Sequence, residues 1–212
     1  MKKIFLIIFI LGLAVAASAQ SLQRVSQAEA ARMIAAINSA TASIKTIECR
    51  FSQEKTVSLL KDKIVSTGTM HYASTGKLRW EYISPFSYIF VINHGKVITK
   101  AGKKKSSIDV ASSKLFQNIT RIMVATVTGK GLSNSRDYTV TMYKDRDAWV
   151  AHLVPRDSSM KKMFKYIRLH LNPSHSMISS VEMVENSGDA TIIKLYDIKT
   201  NKQIGDKVFT VN

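Results

Sequence analysis

Read from residue 26, the chain changes its hydrophobic period twice. Ser26-Gln27-Ala28-Glu29 has capping-box spacing, and Met33, Ile37, Ala40 and Ile44 follow at helical intervals. This predicts an amphipathic helix over Gln27–Ile44 with one apolar stripe. From Thr46 the period drops to two: Ile47, Cys49, Phe51, Val57 and Leu59 share one side of a strand that ends at the polar turn Lys61-Asp62-Lys63. Ile64–Tyr72 returns as a second strand, with Gly68 marking a bend or a close backbone approach. Leu78–Tyr82, Tyr88–Ile92 and Lys96–Lys100 follow as strands, separated by Ser74-Thr75-Gly76, Ser84-Pro85 and Asn93-His94-Gly95. Such short connections favour antiparallel hairpins over parallel crossovers.

Lys103-Lys104-Lys105-Ser106-Ser107 reads as a charged loop that breaks the meander. Leu115, Ile119, Ile122, Met123 and Thr126 then recur at helical spacing before Gly129, which predicts a second helix over about Ser113–Thr128. Its β-branched residues lower its intrinsic propensity, so packing has to hold it. Strands resume at Tyr138–Tyr143, Ala148–Val154, Lys165–Leu171, Met177–Val184 and Thr191–Ile198, with a last short one near Val208–Val211. About eleven strands and two helices in this order predict a mainly β (α+β) fold. Its form is a single unclosed, strongly curved antiparallel half-barrel with the helices on its concave side.

Met1-Lys2-Lys3, the uncharged run Ile4–Ala16 and the small-residue site Ala17-Ser18-Ala19 have the three-part pattern of a secretory signal peptide. Cleavage after Ala19 leaves residues 20–212 as one domain, exported and soluble. The run is shorter than the ~20 residues that span a bilayer, which argues against an N-terminal anchor. Losing Lys2 and Lys3 lowers the formal charge from +16 to +14. Such a charge suits nucleic acid, anionic lipid or an acidic protein, and export makes nucleic acid the least suitable of these. Cys49 is the only cysteine, so an internal disulfide is impossible, and its strand neighbours Ile47 and Phe51 predict a sheltered thiol. The five histidines, His71, His94, His152, His170 and His175, show no metal-ligand spacing, and there is no Gly-x-Ser-x-Gly elbow. Catalysis has no positive support, and no cofactor or metal is implied.

"FSQEK", "GTMHY", "LRWEYISP", "NHGK" and "DATIIKLYDIKTNKQIGDKVF" occur in this order over nearly the whole exported part. Together they resemble the LolA family, periplasmic carriers of outer-membrane lipoproteins. The resemblance implies an unclosed barrel whose helices form a lid over an apolar cavity for acyl chains. It also implies a periplasmic location and acylated lipoproteins as cargo, with an inner-membrane ABC-type exporter as donor. The acceptor would be an outer-membrane receptor or the outer membrane itself. On this reading the chain is a monomer whose cavity is lined by Phe51, Met70, Trp80, Phe90, Leu115, Ile119, Ile122 and Met123. Strand alternation puts Arg79 on the face opposite Trp80, which makes it a candidate partner-facing residue, and the basic run Lys103, Lys104 and Lys105 is a second candidate of that kind. A lipid- or glycolipid-binding module, or an envelope-stress sensor, would show the same periodicities and stays open as the alternative.

Overall fold

A computed structural model describes residues 22–59, 62–112, 117, 132 and 137–211. The signal-peptide segment lies outside these residues. So does the predicted second helix, including Leu115, Ile119, Ile122 and Met123; Gln117 alone of that span is described.

Ser26 caps α1 (Gln27–Ala42) as its spacing predicts, its Oγ accepting from the Glu29 amide at 3.2 Å. The Glu29 carboxylate does not return to the cap; it pairs with Lys144 and so ties the helix start to the sheet. Met33, Ile37 and Thr41 are the buried stripe, and the Thr41 hydroxyl donates to the Ile37 carbonyl at 2.9 Å. The helix stops two residues before the predicted Ile44, whose side chain is nevertheless buried in the core.

The strands are β1 (Gln23–Arg24), β2 (Thr46–Val57), β3 (Asp62–Ala73), β4 (Lys77–Ser84), β5 (Tyr88–Asn93), β6 (Lys96–Ala101) and β7 (Lys104–Asp109). They continue as β8 (Tyr138–Asp145), β9 (Ala148–Pro155), β10 (Phe164–Leu171), β11 (Ile178–Glu185) and β12 (Ala190–Thr200). A short helix, α2 (Ser158–Met163), precedes β10 and is capped by the Asp157 carboxylate. The twelve strands among the described residues form one antiparallel sheet in the order β1-β8-β9-β10-β11-β12-β2-β3-β4-β5-β6-β7. Nearly every pairing is between chain neighbours; only β1–β8 and β12–β2 join distant segments. The order ends at β1 and β7, so the sheet is unclosed.

α2 was not expected from the sequence, Leu59 stands exposed in the β2–β3 turn and not on the apolar side of the strand, and three further details differ from the sequence reading. Lys104–Asp109 is an edge strand and not a loop: its side chains are almost all exposed, a pattern that an edge strand shares with a polar loop. Gln23–Arg24 adds a strand too short for periodicity to reveal. The last segment is not a strand; Asp206–Phe209 forms a 3-10 turn against the outer face of β4 and β5.

One apolar core occupies the concave side. Met142 of β8, Ile167 of β10, Phe51 of β2 and Val97 of β6 belong to the same buried cluster, although many strands separate them along the sheet. The cluster runs without a break through the intervening strands, so one apolar face is shared from β8 to β6. A second, smaller cluster of Val91, Phe209 and Val211 lies on the convex side.

Candidate functional site

Cross-strand register organises the concave face between β2 and β6 into rows of side chains. Ile47, Tyr72, Leu78, Ile92 and Val97 are aligned in one row, and Cys49, Met70, Trp80, Phe90 and Thr99 in the next. The third row runs Phe51, Gly68, Tyr82, Tyr88 and Ala101. Four of the predicted cavity residues, Phe51, Met70, Trp80 and Phe90, therefore meet in two adjacent rows. Phe51, Met70 and Trp80 are buried, and Phe90 is half-buried against them.

Gly68 makes this packing possible. A Cβ there would come within 1.9 Å of the Glu81 carbonyl oxygen and 2.6 Å of the Phe51 ring. The missing side chain lets the Phe51 ring lie over the backbone of β3, where it stacks on Trp80 with centroids 4.3 Å apart. Tyr82 meets the edge of Phe51 at 5.2 Å, and beyond it stand Phe86 at 5.7 Å and Tyr88 at 6.1 Å. The result is a continuous aromatic path from the buried floor at Trp80 to the exposed Phe86 at the rim. The Tyr82 hydroxyl bonds Gln53 Oε1 at 2.9 Å, and burial raises the phenol pKa. Tyr82 and Phe86 were not singled out in the sequence. For Tyr82 the signal was present, two residues after Trp80 on the same strand side; Phe86 lies in a connection where periodicity is silent.

Cys49 stands beside this floor as a free, buried thiol. Burial, with a smaller contribution from the neighbouring Glu48 carboxylate, pushes its pKa up to about 12. It is an inert apolar filler at neutral pH.

The opposite face has a different chemistry. Arg79 points away from Trp80, as alternation requires, and its guanidinium is engaged within the chain. Nη1 donates to the carbonyls of Val208 (3.2 Å) and Thr210 (3.0 Å), and Nε to Glu81 at 2.7 Å. Lys105 donates to the Val211 carbonyl and Asn93 to that of Phe209, at 3.1 Å for the latter. The C-terminal segment is thereby strapped across β4 to β7. Lys103 and Lys104 are exposed at the β6–β7 turn. His71 lies on this face with its Nδ1 buried and without a partner among the described residues, and burial lowers its pKa. His152 and His170 flank the Arg168–Glu182 ion pair on the same face, and burial lowers the pKa of both.

A family model described as "Outer membrane lipoprotein carrier protein LolA" matches residues 42–212. No curated protein sequence matches the chain. Among solved structures, an uncharacterized conserved protein from Thermus thermophilus is similar with a TM-score of 0.51 at 8% identity, over 85% of this chain and 92% of that one. A LolA superfamily protein from Nitrosomonas europaea aligns with a TM-score of 0.46 at 10% identity, covering 86% of this chain and 97% of that one. The lipoprotein LppX from Mycobacterium tuberculosis aligns with a TM-score of 0.48 at 10% identity, covering 85% and 99% respectively.

Proposed function

The chain belongs to the LolA family of outer membrane lipoprotein carrier proteins, and we propose that it binds the acyl chains of lipoproteins and carries them through the periplasm from the inner to the outer membrane. The observation that supports this reading most is the graded aromatic path from Trp80 through Phe51 and Tyr82 to Phe86.

The physical case is the cost of moving an acyl tail through water. Each buried methylene favours leaving water by about 0.8 kcal/mol. A multiply acylated anchor is therefore trapped in its membrane unless a carrier offers comparable apolar surface, and hydrogen bonds cannot substitute because the tail has none to offer. On this reading residues 1–19 are a cleaved signal peptide and residues 20–212 the carrier domain. Phe51, Met70, Trp80 and Phe90 are taken as the floor, and Leu115, Ile119, Ile122 and Met123, outside the described residues, are assigned to a lid. An ABC-type exporter in the inner membrane would load the carrier, and a receptor or the outer membrane itself would unload it. On this reading it is a binding protein rather than an enzyme, which its membership of a carrier family supports.

Trp80 supplies the test. In a Trp149→Phe background its fluorescence should change saturably as a fatty-acyl probe is added, and Ile122→Asp should weaken that binding at least tenfold without unfolding the sheet. An unresponsive Trp80, with no probe bound, contradicts the reading. Global unfolding of Ile122→Asp would make the segment core and not lid.

A further inference from the structure

Strand pairing gathers several connections at one end of the sheet. Val57 pairs with Asp62, Tyr82 with Tyr88 and Ala101 with Lys104, so the β2–β3, β4–β5 and β6–β7 turns share one rim. Thr56 pairs with Ala190 and Phe164 with Glu185, which adds the β11–β12 turn and the α2–β10 junction to that rim. The Asn186 side chain bonds the Lys161 carbonyl and its amide that of Met163, holding α2 there.

The side chains on this rim are distributed unevenly. Its middle exposes large apolar residues: Leu59 is 93% exposed, Ile83 61%, Val65 53% and Phe86 51%. Four of the chain's seven exposed large hydrophobics among the described residues thus lie here, with Ile64 a fifth. Lysines flank them on both sides, Lys103 and Lys104 at the β6–β7 turn and Lys161, Lys162 and Lys165 at α2, all exposed. Lys55 and Lys63 within the rim are paired with Glu185 and Glu54, so among the described residues the unpaired lysines of the rim are those at the two flanks.

An apolar centre between basic flanks is the arrangement that binds a lipid surface: apolar side chains enter the headgroup boundary while cations meet anionic headgroups. Isolated exposed apolar residues need no explanation, but a cluster at one end of a molecule does. We propose that this rim docks the protein directly on an anionic bilayer, with Leu59 and Ile83 as the inserting residues and the flanking lysines as the electrostatic contacts. The inference rests on the carrier reading for its purpose. The aromatic path opens at Phe86 on the same rim, so docking would place the entrance to the concave face against the lipid.

Flotation with vesicles tests it, using the exported chain with phosphatidylcholine alone or with phosphatidylglycerol at 30 mol per cent. Binding should rise about tenfold with the anionic lipid and fall in high salt. Leu59→Asp should lower it about tenfold, and Lys161→Glu combined with Lys162→Glu should lower it at low salt only. Fatty-acyl probe binding, measured in parallel, should not change in these variants. No preference for anionic vesicles, or a Leu59→Asp variant that floats like the parent, overturns the proposal. Concentration-dependent self-association abolished by Leu59→Asp, without vesicle binding, would assign the rim to a second copy and overturn it as well. Loss of probe binding in the parent would instead fail the carrier reading and leave the vesicle result to stand alone.

Discussion

Gly68 shows how much one missing side chain sets. Its Cα faces Phe51 across β2 and the Glu81 carbonyl in β4, with no room for a Cβ. Gly68→Val should destabilise the domain by about 1–3 kcal/mol or more, since overpacking here meets backbone and not only a movable ring; urea unfolding measures it. An unchanged midpoint would mean that Phe51 has another place to go. Cys49 makes the complementary point about reactivity. With its pKa raised to about 12, the thiol should alkylate very slowly in the folded protein at pH 8 and rapidly in urea. Cys49 burial costs no stability below the ordinary thiol pKa, and stability falls as pH rises from about 9 towards 12, because the unfolded thiol ionises first. Cys49→Ala should flatten that alkaline loss. Sheltering of Cys49 was legible in the sequence because Ile47 and Phe51 fix its face. The partner of Arg79 was not, because its two carbonyl acceptors lie 129 and 131 positions away.

Elements with a strong period were the readable ones. α1 and the hairpins from β2 to β6 follow from spacing and turn composition; His94 and Gly95, both at positive φ, make the tight turn that Asn93-His94-Gly95 announces. β7 escaped because lysines on a solvated edge strand carry no alternation, and β1 because two residues have no period. The C-terminal segment was read as a short strand near Val208–Val211. It folds instead as a 3-10 turn because Phe209 and Val211 bury against Val91 while Arg79, Asn93 and Lys105 take its carbonyls. This strap lies on the face away from the aromatic path, so the two should be separable. Phe209→Ala should cost about 3–5 kcal/mol in unfolding free energy while leaving the affinity for a fatty-acyl probe within about twofold of the parent. A large loss of probe affinity in the folded variant would mean that the convex strap and the concave floor are coupled.

At the scale of the whole molecule, fold class was legible and the shape of the site less so. Successive short connections dictate an antiparallel meander, and a single apolar face on the strands from β2 to β6 and β8 to β12 favours a sheet that curls around that face. What periodicity cannot supply is register, and register is what aligns Met70, Trp80 and Phe90 in one row and carries the aromatic path out to Phe86. The central claim is that this concave face accepts the acyl chains of lipoproteins. The most direct measurement incubates the exported chain with spheroplasts displaying newly made lipoproteins, in the presence of the cognate exporter, and quantifies what enters the soluble fraction. A soluble one-to-one complex should form with acylated lipoprotein, and none with the same lipoprotein lacking its acyl chains. Equal release of both forms, or release of neither while the exporter is active, would contradict it.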